Sequence, residues 1–202
     1  FIIKMNFIRW TTNDYNAISI LTRRGKMTSK FVQKVNSVEW LLTDGATGTN
    51  LFDMGLMSGD APELWNEKYP KKIAKLHKDT VDAGSDIFLT NSFGSNALRL
   101  KLHNFGNRAF ELSKISAEIA RDVADCCVRS VFVAGSVGPT GEIMQPIGDL
   151  SHQLAVEVFH EQAQGLKDGG ADLLWLETIS SPEEFKAAAE AFSHIELPWV
   201  GT

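Results

Sequence analysis

From Leu41 onward the chain repeats one pattern: a short apolar run ends in small and polar residues and gives way to an amphipathic helical stretch. The apolar runs at 41–43, 86–90, 131–135, 172–177 and 199–201 lack the polar alternation of a strand with one wet face. They predict parallel strands covered on both sides. Between them Leu112, Ile115, Ile119 and Val123 recur at helical spacing, as do Leu154, Val158 and Leu166, each series with charges on the opposite face, which predicts covering helices. Ser181-Pro182-Glu183-Glu184 supplies an N-cap, a proline at the first helical position and a capping-box glutamate; Gly84 and Gly169-Gly170 suit left-handed C-caps. Residues 1–40 differ, being polar and mixed without sustained periodicity, with a polar stretch at 11–14 and a basic run at 23–26. They are read as an N-terminal extension, and 41–202 as the folded domain. Met27 heads the stretch leading into the first strand, so 1–26 is either an extension foreign to the fold or a native arm.

The predicted strands start at 41, 86, 131 and 172, about 45, 45 and 41 residues apart. Right-handed β-α-β crossovers of that size build either a doubly wound sheet or a (β/α)8 barrel, and spacing does not choose between them. Both place ligands at the carboxyl ends of the strands.

Composition narrows the function class. The 202 residues are 44% hydrophobic, with 20 Lys+Arg against 25 Asp+Glu and a formal net charge of -5. Such a mildly acidic chain without a basic stripe lacks the electrostatic footprint of a nucleic-acid binder. No apolar stretch approaches the roughly 20 residues of a membrane span. The two cysteines are adjacent, Cys126-Cys127, and cannot staple distant segments, so a reducing, cytoplasmic setting and a small-molecule substrate are expected.

The strand ends carry the candidate chemistry. Asp44-Gly45-Ala46-Thr47-Gly48-Thr49 follows the first strand, where glycines let backbone N–H groups approach a phosphate or carboxylate. The plainer reading is a sharp turn with Asp44 as a cap. Thr90-Asn91-Ser92-Phe93-Gly94 clusters hydrogen-bonding side chains after the second strand, and Gly135 to Glu142 lacks the lysine and spacing of a phosphate-binding P-loop. Glu177 closes an otherwise apolar strand, and an unpaired carboxylate there has a desolvation cost of several kcal/mol. It calls for a cation: either an Arg or Lys of the protein or, shared with Asp44, the ammonium of an amino acid. His77, His103, His152 and His160 fall in or beside helical stretches, which suits packing or solvation rather than ligation. Cys126-Cys127 lies at a helix end away from the ligand rim and is rejected as a metal site.

Residues 44–49, 89–94 and 135–142, in this order and at these distances, together with the strand-terminal Glu177, resemble the homocysteine S-methyltransferase family over about 40–202. Within it the sequence looks most like the bacterial betaine-homocysteine methyltransferases, and next like the homocysteine module of cobalamin-dependent methionine synthase. The resemblance implies a (β/α)8 barrel, here truncated after about four βα units and the start of strand five, with open edges on its first and fifth strands. It implies methyl transfer, with betaine as the expected donor, to a homocysteine thiolate held by zinc on three cysteines. Those cysteines belong to a Gly-x-Asn-Cys type segment and a Gly-Gly-Cys-Cys segment, neither of which occurs here. The chain is therefore expected to be an inactive fragment of a longer enzyme. By the same resemblance Asp44 and Glu177 hold the amino group of homocysteine, Gly45, Ala46 and Thr49 receive its carboxylate, and Ser92 is a hydroxyl near the substrate. A non-catalytic ligand-binding product is the alternative of a different class.

Overall fold

The computed structural model describes residues 2–4, 19–21, 29–45 and 47–202. The stretches 11–14 and 23–26 and the candidate Ala46 lie outside these residues. In chain order the elements are β1 (Ile2–Lys4), β2 (Ser19–Leu21), α1 (Lys30–Ser37), β3 (Trp40–Leu42), α2 (Thr47–Asp53), α3 (Trp65–Lys68), α4 (Pro70–Asp82), β4 (Ile87–Leu89), α5 (Ala97–Lys101), α6 (Ala109–Asp125), β5 (Phe132–Val137), α7 (His152–Asp168), β6 (Leu173–Leu176), α8 (Pro182–Ser193) and β7 (Trp199–Gly201), with short 3-10 turns at Pro62–Leu64 and Gly106–Arg108.

Strands β4, β5, β6 and β7 form a parallel ladder in sequence order. β3 joins its edge through the parallel bridge of Thr43 with Ile87, with Asp86 N–H donating to Leu42 O at 2.7 Å and Asp44 N–H to Ile87 O at 3.0 Å. The order never reverses, as a doubly wound sheet requires. The large helices α6, α7 and α8 all pack on one face, against Phe88, Val133, Leu174, Leu176 and Trp199. The other face turns Leu41, Ile87, Phe132, Leu173, Trp175 and Val200 inward onto one another. Consecutive parallel strands with helices outside and side chains filling the inside are the wall of a (β/α)8 barrel. The outer strands are paired rather than open: β1 runs antiparallel along β3, and β2 along β7.

Regular structure starts before Leu41, where the apolar pattern places it. Ser29 caps α1 by accepting from Val32 N–H, and Phe31 and Val35, four residues apart on one face, are buried against the inner side of the sheet. Phe31 meets the ring of Phe132, the first residue of β5, edge-on at 5.4 Å between centroids, so α1 closes the amino end of the interior. One buried pair in an eight-residue helix is too short a repeat to stand out in the sequence.

The covering helices differ in detail from the sequence reading. On α6 the buried face is Leu112, Ser113, Ser116, Ala117, Ala120 and Ala124, while Ile115, Ile119 and Val123 lie half-buried along its flanks. On α7, Leu154 is exposed, and Ala155, Phe159, Ala163 and Leu166 carry the packing with Val158. The cause is close approach: a Cβ added at Gly165 or Gly169 would stand 2.4 Å from Phe110 O or 2.3 Å from Lys114 O. Helices this close admit only small side chains between them. Gly84 and Gly170 take the left-handed conformation expected of them, at φ of 110° and 94°, whereas Gly169 remains right-handed at -82°.

Candidate functional site

Asp44 and Glu177 stand at the carboxyl ends of β3 and β6, on the rim opposite α1. Asp44 leans toward β4, where its Oδ2 accepts from Leu89 N–H at 2.8 Å. Glu177 leans toward β5, where its Oε1 accepts the Ser136 hydroxyl at 2.5 Å. Burial pushes the Asp44 carboxyl up to about 6; the Leu89 N–H opposes that shift and the negative charge of Glu177 adds to it. Glu177 is likewise raised by burial, against the Ser136 hydrogen bond. Neither carboxylate has an Arg, Lys or His partner among the ion pairs of the described residues. The two acids that the sequence singled out therefore feel each other across the barrel mouth, and neither is ion-paired with an Arg, Lys or His of the described residues.

The turn beside Asp44 is open. Gly45 is exposed, Gly48 begins the exposed side of α2, and a Cβ at either would meet nothing within 4 Å. Neither adopts a positive φ, so the backbone here does not require glycine for its conformation. Their bareness leaves space in front of the chain instead. Thr49 lies on the same exposed surface of α2.

Ser92 is placed differently from the other candidates. It is fully buried, and its hydroxyl lies 2.8 Å from Ser136 O and 2.6 Å from Thr90 Oγ1, inside the wall rather than in its mouth. Gln162, buried on α7, reaches the same place from outside, donating to Ser92 O at 2.7 Å. Two carboxylates fix the loops above. Glu63 accepts the Gly94 N–H at 2.7 Å, and a Cβ at Gly94 would stand 2.7 Å from that same oxygen. Burial holds Glu63 above the usual carboxylate range. Glu184 accepts from Thr140, so the expected capping-box return to the helix start is not made; only the other half, Glu184 N–H to Ser181 Oγ at 3.2 Å, is present. With a carboxylate already on the Thr140 N–H, the loop after β5 is not a phosphate cradle. Ser136, Gln162, Glu63 and Glu184 were not singled out as site residues; the one sequence signal is that each is a polar side chain within a largely apolar element or loop, which demands a partner when buried.

His77, His152 and the cysteines find their contacts away from Asp44 and Glu177, while His103 stands near Glu63 and Gly94. His77 is buried against Phe88, with ring centroids 5.3 Å apart, and burial lowers it to about 4. His152 pairs with Glu190 at 2.8 Å on the surface. Cys126 is exposed and Cys127 donates its thiol to Val123 O at 3.1 Å, at the end of α6 that precedes β5. The described residues contain no group of three His, Cys, Asp or Glu side chains able to hold a metal ion. They do not fit a zinc site. No helix among the described residues is long and apolar enough to cross a membrane.

A family model for homocysteine S-methyltransferase matches residues 41–202, four-fifths of the chain and every element of the rim. The chain belongs to the homocysteine S-methyltransferase family. Methionine synthase of Mycobacterium leprae is 32% identical over 157 residues, covering 73% of this chain and 13% of that protein. Methionine synthase of Mycobacterium tuberculosis is 33% identical over 185 residues, covering 80% and 15%. Among solved structures, the oxidized form of the homocysteine methyltransferase MmuM from Escherichia coli superposes with a TM-score of 0.67 at 27% identity, over 79% of this chain and 60% of that one. Its metallated form gives 0.67 at 26% identity, over 79% and 61%. The chain thus spans 13–15% of the methionine synthases and 60–61% of the MmuM structures, and the homocysteine methyltransferase fold accounts for its barrel wall.

Proposed function

We propose that this segment grips the amino-acid end of homocysteine in a methyltransferase that makes methionine. Asp44 and Glu177 take the ammonium; Gly45, Ala46 and Thr49 take the carboxylate; Ser92 supports the site from within the wall. The observation that carries this reading is a pair of half-buried carboxylates on one rim, neither of them ion-paired with an Arg, Lys or His of the described residues. Two such groups repel when ionised, and an ammonium placed between them converts repulsion into charge-assisted hydrogen bonds. In the reaction the homocysteine sulfur loses its proton and forms a bond to a methyl carbon as that carbon's bond to the donor breaks. This segment orients the thiol by holding the opposite end of the molecule.

Betaine is the donor we propose, losing one of its N-methyl groups. The methionine synthase relatives favour a second reading, in which this segment is the homocysteine module of a cobalamin-dependent enzyme. Methyl transfer by the full-length protein from betaine and not from methylcobalamin decides for the first; the reverse decides for the second. Zinc belongs to the same proposal for the whole enzyme, on ligands other than the described residues, as does a cytoplasmic setting suggested by two free cysteines. The amino-end reading is tested by Glu177→Gln in the full-length protein, which is expected to weaken homocysteine binding and leave zinc content unchanged. Loss of metal with intact binding would contradict it.

A further inference from the structure

We propose that Ser136 is the positioning residue of this ammonium site and that Gln162, on the covering helix α7, anchors it. The part concerning substrate rests on the reading of Glu177 given above. Ser136 is 2% exposed. Its N–H donates to Thr90 Oγ1 at 3.0 Å, and its carbonyl accepts the Ser92 hydroxyl at 2.8 Å. Each hydroxyl has one proton, so these bonds fix the third contact: Ser92 has used its proton on Ser136 O, and Thr90 must be the donor in the 2.6 Å pair with Ser92. Thr90 to Ser92, Ser92 to Ser136, and Ser136 back to Thr90 form a closed ring of hydrogen bonds running in one direction.

The ring clamps the Ser136 peptide and leaves its side-chain hydroxyl one role, donation to Glu177 Oε1. Gln162 ties the ring to the outer layer, donating to Ser92 O at 2.7 Å and to Ser136 O at 3.3 Å while its own Oε1 has no hydrogen-bond partner among the described residues. The buried amide is thus used for its donors alone, which neither a glutamate nor an apolar residue supplies. With one Glu177 oxygen occupied by Ser136, the other is left for a ligand, and the charge of Glu177 is felt by Asp44, just beyond β3. A hydroxyl donor also favours the ionised carboxylate against burial.

The experiment reads the Glu177 side-chain carboxyl by carbon-13 NMR through a pH titration of this chain, and L-homocysteine affinity by calorimetry in the full-length protein. Ser136→Ala is expected to move the Glu177 midpoint to higher pH and to weaken homocysteine about tenfold, the effect of losing one hydrogen bond to a charged group. Ser136→Thr is expected to restore both. Gln162→Leu, with Ser136 intact, moves the midpoint the same way by less, and serves alone if Ser136→Ala does not fold. A midpoint unmoved in the folded Ser136→Ala or Gln162→Leu variant overturns the proposal, as does failure of the threonine to restore it. A midpoint that moves in a protein with no affinity for homocysteine leaves the positioning role standing and defeats the ammonium reading.

Discussion

Glu184, at the start of α8, accepts both the backbone N–H and the hydroxyl of Thr140 through a single oxygen, at 2.7 and 2.6 Å. The two residues are 44 positions apart, and both are buried. The loop that follows β5 is therefore held by the helix that follows β6. Replacing Glu184 with alanine leaves two buried donors of Thr140 unpaired. Each orphaned donor costs about 1–3 kcal/mol, so urea unfolding is expected to show a loss of about 2–6 kcal/mol, with amide exchange at Thr140 accelerated ahead of the barrel strands. Glu184→Gln keeps an acceptor and is expected to lose less. Wild-type stability in Glu184→Ala would show that the loop stands without this contact.

That contact marks the limit of what the sequence discloses. The strands were legible because burial on both faces leaves an unmixed apolar run: the run at 199–201 coincides with β7, and that at 131–135 overlaps β5 over its first four residues. Asp44 and Glu177 were legible because a carboxylate closing such a run has no local reason to be there. The helix faces were read less well: hydrophobicity pointed to Ile115 and Ile119, but the close α6–α7 seam selects alanine and serine, which carry little periodic signal. Ser136, Gln162 and Glu184 were out of reach because their partners lie 26 to 70 residues away and become neighbours only when the barrel wall forms.

Asp44 should cost the protein stability at neutral pH. In the unfolded chain its carboxyl ionises near 3.8, and in the folded state near 6. Between these values the folded state binds more protons, so this group's contribution falls as pH rises, and the deficit is complete above about 6. A shift of that size corresponds to at most about 3 kcal/mol. Asparagine keeps an oxygen for the Leu89 N–H and carries no charge. Asp44→Asn is therefore expected to be more stable than wild type by about 1–3 kcal/mol at pH 7.5, with the advantage shrinking toward zero at pH 4, while homocysteine binding is lost. Denaturant titrations of both proteins across this pH range make the comparison, since groups common to both cancel. An advantage independent of pH would rule out ionisation of Asp44 as its source.

The same glycine-to-alanine change should have opposite consequences on two helices. Alanine is the better helix former by about 1 kcal/mol, so a helical glycine with free space around it is a site where substitution is tolerated or helps. Gly48 in α2 is such a site, with nothing within 4 Å of an added Cβ. Gly165 in α7 is not: its Cβ would stand 2.4 Å from Phe110 O and 3.0 Å from the Ser113 Cβ. The first is a backbone atom in the facing helix α6, so no side-chain rotation relieves the clash, and the helices must separate. Overpacking of this kind costs about 1–3 kcal/mol, and separation also loosens the seam on which Ala117, Ala120 and Ala163 pack. Gly165→Ala is expected to lower the urea midpoint clearly, and Gly48→Ala to leave it unchanged or slightly raised. If both substitutions raised it by similar amounts, helix propensity alone would be deciding, and the close approach of α6 and α7 could not be the reason their interface is built from small residues.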